Sequence, residues 1–328
     1  MKKTLIAILA LAAVACNKAD VIEQSAPEAI AFDNAFVDNA VKSVSDPSYS
    51  NTKLFNEFAV FGFVEDASLF DGVKVSGSAL NGDWTYSGTQ YWIAGAKYNF
   101  CAVAPFDGNW TKTAASKDGV TLSFTNNGTQ DVLFAQPAEI EGQASDNAKV
   151  EFTFRHLLSK VKFSFVNAYN ATNATIRVRN IKITDAYKTA TVALGAATAW
   201  SAQDGELELA FGNAAEASAT AEEAFAYNTA VESYNELLMI PSKIKAYTVT
   251  FDVDLLVSGT VVKTYAHTAA ASFAPAAGTC YDIKAEINAT NIDPNNEQEP
   301  IEFTVTAING WGGPVEPEAT INNNANNN

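Results

Sequence analysis

The stretch Tyr247-Thr-Val-Thr-Phe-Asp-Val-Asp-Leu-Leu-Val257, followed by Ser258-Gly259 and Thr260-Val-Val-Lys-Thr-Tyr-Ala-His267, decides the fold class. Aromatic and β-branched residues at 247, 249, 251 and 253 alternate with Thr248, Thr250, Asp252 and Asp254, a period of two that gives each face of a strand its own chemistry. A helix needs its apolar residues three and four apart. Ser258-Gly259 leaves two residues for the reversal, and glycine takes the positive φ that such a loop demands. The stretch reads as an antiparallel β-hairpin.

The same period recurs on either side. Residues 30–37, 57–65, 73–76, 91–93, 98–104, 120–125 and 131–135 are short alternating segments separated by Gly, Asn, Asp and Pro, enough strands for one sandwich. After the polar stretch 141–148 a second series follows at 150–154, 160–166, 175–184, 189–194, 236–240, the hairpin, 281–288 and 301–308. The Ala, Ser, Gly and Glu rich stretch 196–226 reads as an exposed excursion with one short strand at 206–211 and a helical turn near 220–226. The expected class is all-β, with tandem antiparallel β-sandwich domains over 30–143 and 144–311.

The N-terminus carries a different signal. Lys2 and Lys3 precede an apolar run from Leu5 to Ala15, too short to span a bilayer, and Ala13-Val14-Ala15-Cys16 fits the lipobox of a lipoprotein signal peptide. Residues 1–15 are then the signal peptide, Cys16 the lipidated mature N-terminus and 16–29 a polar tether; the competing reading is an ordinary secretory signal with an incidental cysteine. Residues 312–328, rich in Pro, Glu and Asn, bury too little apolar surface to order themselves and read as a disordered tail.

The formal charge of −16 across 328 residues becomes −18 once Lys2 and Lys3 leave with the signal peptide, and the only arginines are Arg155, Arg177 and Arg179. Nucleic acid and anionic lipid are disfavoured as partners. Cys101 and Cys280 sit in apolar alternation, far apart and in different expected domains, and read as buried structural thiols rather than a disulfide framework.

A search for chemistry finds little. His156 and His267 each stand without a second histidine or cysteine at ligand spacing, and each reads as a strand histidine hydrogen-bonded within a sheet. No nucleophile elbow, phosphate loop or dinucleotide fingerprint occurs, so no catalytic residue, cofactor or metal is expected. The oxygen-rich loops 66–71 and 291–296 lack the EF-hand order, and Asp252 with Asp254 reads as surface solvation. Trp92 alternates with apolar neighbours as a core residue does, which leaves Trp84 and Trp110 as candidates for stacking a glycan.

Phe154-Arg155-His156-Leu157-Leu158-Ser159-Lys160-Val161-Lys162-Phe163 resembles the Phe-x-His-x-Leu-Ser-Lys-Val-x-Phe stretch of the fimbrillin-like lipoproteins of Bacteroidales, the subunits of type V pili. Tyr98-Asn-Phe-Cys-Ala-Val-Ala-Pro105, Asp131-Val-Leu-Phe-Ala135, Leu237-Leu-Met-Ile-Pro241, Gly278-Thr-Cys-Tyr281 and Gly310-Trp311 support the resemblance in the same order along the chain. It implies transthyretin-like sandwiches, delivery to the cell surface as a lipoprotein, proteolytic removal of the lipid with the first strand, and acceptance of a strand from the next subunit. The strand to be removed is 30–37, and the family's cleaved arginine is replaced by Lys42, with Lys53 a second possible site; an uncut chain keeps its anchor. The donor strand comes from 301–308 and the tail.

The expectation is a non-enzymatic fimbrial (pilus) subunit or subunit-like adhesin of the outer membrane surface. Its expected partners are other fimbrial subunits by β-strand addition, the outer membrane through the lipid on Cys16, and host or bacterial surface ligands. The alternative is a monomeric surface glycan-binding lipoprotein of a nutrient-uptake system, using Trp84 or Trp110.

Overall fold

The computed structural model describes residues 27–37, 56–77, 84–295 and 299–308, and every regular element in them is a β-strand. The signal segment 1–15, Cys16, Lys42, Lys53 and the tail 312–328 lie outside the described residues. The first ten strands are β1 (Phe32–Val37), β2 (Glu57–Val64), β3 (Ala67–Ser76), β4 (Thr85–Tyr86), β5 (Lys97–Ala104), β6 (Trp110–Ser116), β7 (Gly119–Thr125), β8 (Leu133–Ala135), β9 (Ile140–Glu141) and β10 (Val150–His156). The rest are β11 (Ser159–Asn167), β12 (Ala174–Gly195), β13 (Thr198–Gly212), β14 (Phe225–Ala226), β15 (Ala230–Glu232), β16 (Leu237–Met239), β17 (Lys245–Val257), β18 (Thr260–Phe273), β19 (Cys280–Ile287) and β20 (Phe303–Ile308).

The first sheet runs β1, β10, β8, β5, β2, β3, β4, with β9 beside β5. It is rolled. Phe32 of β1 and Tyr86 of β4 stand at opposite ends of that order, yet their rings meet at 5.3 Å. Phe58, Val60, Phe70, Tyr98, Phe100, Phe152 and Phe154 fill the inside of the roll. Gly62 makes room for two of these rings, since a Cβ there would come within 2.7 Å of Phe70 and 2.9 Å of Phe100. Alternate residues of the central strands, Ala59, Phe61, Phe63, Cys101 and Val103, point outward and are buried against Val120, Leu122 and Phe124 of β7 and Ala190, Val192 and Leu194 of β12. The central strands of the roll are therefore covered on both faces, as their unbroken apolar runs require.

A 22-residue strand, β12, joins this half to the next. Along one edge it pairs with β17 at its start and with β7 from Thr189 to Gly195; along the other it pairs with β13. The segments 175–184 and 189–194 are one strand, carried across a register shift between Ile183 and Ala186. The 196–226 stretch also differs from expectation. Its first part is the full-length strand β13, whose Leu209 and Phe211 enter the second core, and 220–226 holds the short strand β14 in place of a helical turn.

In the second half β15, β11, β19 and β20, with β16 beside β11, face β12 and β17 across a core containing Phe163, Phe165, Ile176, Val178, Phe251, Ile283 and Phe303. Sheet membership crosses the expected boundary at 143/144, because β10 belongs to the roll and the end of β12 pairs with β7. Cys101 and Cys280, expected in separate domains, consequently share the cluster between the halves.

Candidate functional site at the seam of the first sheet

Residues 28–33 close the roll. Ile30 and Phe32 are each 1% exposed, two residues apart on the inward face. The Phe32 ring lies 5.6 Å from Phe70, 5.7 Å from Phe152 and 6.2 Å from Phe100. Burying two such side chains contributes roughly 1.5–3 kcal/mol each.

The backbone of this segment is held from both sides. Toward β10, the Val150 amide donates to the Ala31 carbonyl at 2.8 Å, and a parallel ladder follows from Phe32 opposite Val150 to Val37 opposite Phe154. Toward the other end of the sheet, the Ile30 amide donates to the Gln90 carbonyl at 2.8 Å, and the Trp92 amide donates to the Glu28 carbonyl at 2.9 Å. The Tyr86 hydroxyl donates to the Ile30 carbonyl at 2.8 Å and accepts from the Gln90 amide at 3.2 Å. Burial pushes that phenol above its ordinary range, the Gln90 bond pulling against it.

Two charged contacts frame the segment. Lys149 pairs with Asp33 at 3.2 Å. Glu28 accepts from the Asn147 backbone amide at 2.8 Å and from Asn147 Nδ2 at 2.7 Å, which hold its carboxyl below the usual range. Every contact described between 28–33 and its surroundings is non-covalent.

The tryptophans do not form a platform. Trp84 is 7% exposed, with its ring packed edge-on to Phe58 at 4.9 Å, so it presents no face to a sugar and the expectation of a stacking residue there fails. The roll itself brings it inside. Trp92 is core against Tyr98 at 4.7 Å. Trp110 is half-buried on the opposite, outer side of the sheet, its indole N–H donating to the Pro105 carbonyl at 3.0 Å.

The buried histidines and Asp254 have hydrogen-bond partners within the fold. His156 Nδ1 bonds the Asp131 carboxylate; burial raises the carboxyl of Asp131 and the His156 bond offsets part of that rise. His267 Nε2 meets the Ile292 carbonyl at 3.1 Å and stacks on Phe251 at 5.1 Å. Asp254, expected in solvent, is fully buried. It accepts from Arg177 Nε and Arg179 Nε at 2.8 Å and from the Thr264 hydroxyl at 2.6 Å. Burial opposes its charge, but the bonds from Arg179, Thr264 and Arg177 prevail and hold its pKa at about 2.

Among the described residues no cluster of His, Cys, Asp or Glu is arranged for a metal ion. Asp66, Asp71 and Asp293 of the oxygen-rich loops pair instead with Lys117, Lys112 and Lys263. Nor is any helix among them long and apolar enough to cross a membrane. Tyr86, Gln90 and Asn147, which hold the seam, carry no periodic signal and were not legible as site residues.

The fimbrillin-like family profile matches residues 49–311, most of the chain, so the chain belongs to the fimbrillin-like family. A fimbrial protein from Bacteroides vulgatus shares the fold at a TM-score of 0.57 with 15% identity, over 86% of this chain and 99% of that one. The fimbrial anchor protein Mfa2 from Porphyromonas gingivalis aligns over 88% of this chain and all of its own length, at 10% identity and a TM-score of 0.39, too low to add to the argument about fold. No curated protein matches the sequence.

Proposed function

We propose that the chain is a non-enzymatic fimbrial subunit, exported as a lipoprotein acylated at Cys16, which assembles by giving up segment 28–37 and accepting a strand of another subunit in its place. The observation that carries this reading is the seam: a segment with two buried anchors, bonded along both backbone edges, that closes a rolled sheet. Cleavage after Lys42 or Lys53 would leave that segment attached by non-covalent contacts alone. The vacated slot would be an apolar groove with two hydrogen-bonding edges, the form that strand addition requires. Strand 301–308, with the tail, is the donor. A signal peptide over 1–15, a tether that starts at Cys16 and ends before the seam, and a tail over 312–328 belong to the same proposal, whereas the two halves divide as their sheets do and not at 143/144.

The N-terminal residue of the surface form tests it. Ser43 or Leu54, found together with a ladder of oligomers, is the expected result. A surface population that begins only at acylated Cys16 and shows no oligomers would overturn exchange by processing.

A further inference from the structure

Loop 143–147 at the end of the seam is a prebuilt anion fork. The Gln143 amide donates to Asn147 Oδ1 at 2.7 Å and Asn147 Nδ2 donates to the Gln143 carbonyl at 3.0 Å, so the loop fixes the asparagine amide without help from segment 28–33. Asp146 next to it adopts φ 59°, a left-handed conformation that aspartate tolerates, immediately before the donating Asn147 amide. Asn147 N–H and Nδ2 then converge on a single oxygen, Oε2 of Glu28. Two donors on one oxygen suit a carboxylate better than any neutral acceptor.

Glu28 stands two residues ahead of the Ile30 anchor and four ahead of the Phe32 anchor. The groove thus reads carboxylate, first anchor and second anchor at alternate positions. An alternating strand can slip by two residues and still face its apolar side inward. For segment 28–32 the fork penalises that slip, because a shift of two either way brings Ala26 or Ile30, and no carboxylate, to the two donors.

The pattern Glu-x-Ile-x-Phe occurs twice in the sequence, as Glu28-Ala-Ile-Ala-Phe32 and as Glu299-Pro-Ile-Glu-Phe303. The second copy leads into β20. Ile301 and Phe303 are 6% and 9% exposed in the second core, Phe303 lying 5.8 Å from Phe163 and 6.0 Å from Phe251, whereas Glu299 is exposed. We infer that the Asn147 fork sets the register of the exchanged strand by binding a carboxylate two residues ahead of the first anchor, and that the segment it fits is 299–303 of a second copy. This rests on the exchange proposed above.

The test uses the full chain with a specific protease site inserted between residues 38 and 55, cut after folding so that 27–37 stays bound and can be displaced. Fluorescent peptides covering 27–37, 298–308 and 298–308 with Glu299→Gln are titrated against it. The 27–37 and 298–308 peptides should exchange in, the Glu299→Gln peptide binding about tenfold more weakly. An Asn147→Ala acceptor should bind both 298–308 peptides equally. Because the peptide comparison needs no protein variant, it stands even if Asn147→Ala folds poorly. Equal binding of the Glu and Gln peptides to the natural acceptor overturns the fork as register reader. Exchange of 27–37 without exchange of 298–308 overturns the choice of partner segment. Failure of 27–37 itself to exchange removes the strand-exchange reading and this inference with it.

Discussion

Tyr86 stands on the last strand of the first sheet and Ile30 two residues ahead of β1 at its other end, yet the Tyr86 hydroxyl donates to the Ile30 carbonyl at 2.8 Å. The roll is closed by side chain to backbone contact as much as by a ladder. Tyr86→Phe removes that donor and also the acceptor of the Gln90 amide, at a cost of about 1 kcal/mol. Hydrogen exchange should quicken at the Ile30 and Trp92 amides and leave the β11 and β19 amides unchanged. A uniform change along the chain would show that the hydroxyl does not act locally.

Phe32 touches Phe70, Phe100 and Phe152 inside the roll. Phe32→Ala should cost about 3–5 kcal/mol, the range for an aromatic lost from a packed core. The urea midpoint of the transition that unfolds the first sheet reads this directly. Ala31→Ser, at a position only partly buried, should leave that midpoint almost unmoved.

Asp254 of β17 ties together Arg177 and Arg179 of β12 on the face of their sheet turned away from the second core, and its folded pKa of about 2 lies below the ordinary 3.8. A carboxyl whose pKa falls on folding stabilises above its unfolded value and loses that stability as pH drops through the folded one. Asp254→Asn should therefore cost about 2–3 kcal/mol at neutral pH, the free energy that this fall in pKa represents. The gap between natural and variant melting temperatures should narrow from about pH 4 downward and close near pH 2. A gap that is constant with pH would mean the charge of Asp254 contributes nothing.

Cys101 and Cys280 are buried, which pushes their thiols up to about 12 and about 11. Cys16 aside, the native chain should give no thiol reaction with a disulfide reagent at pH 8, and both thiols should react in denaturant. Fast reaction at either in the native chain would mean that the contact between the halves opens.

What could be read from the sequence was local. At the 247–267 hairpin Val257 pairs with Thr260, and Ser258 and Gly259 sit at φ 49° and 78°, the conformation their two-residue loop calls for. The unity of β12 was hidden because its bulge shifts the inward residues from Ile181 and Ile183 to Ala186, breaking the period that a strand reading follows. Trp84 and Asn147 were illegible for another reason. Each sits in a polar loop-like context, and only closure of the roll, which joins residues far apart in sequence, makes one a core residue and the other a fork.

β10 passes through Leu157 and a bend at Leu158 into β11, and β11 lies parallel to β19 over eight residue pairs, from Lys160 opposite Cys280 to Asn167 opposite Ile287. Tension applied along the strand seated beside β10 thus enters a single covalent backbone that runs from one half into the other. Past that bend it runs along β11 and loads the β11 to β19 hydrogen bonds together, in shear, instead of peeling them one at a time. Pulled from its ends, the molecule resists as a tie rod.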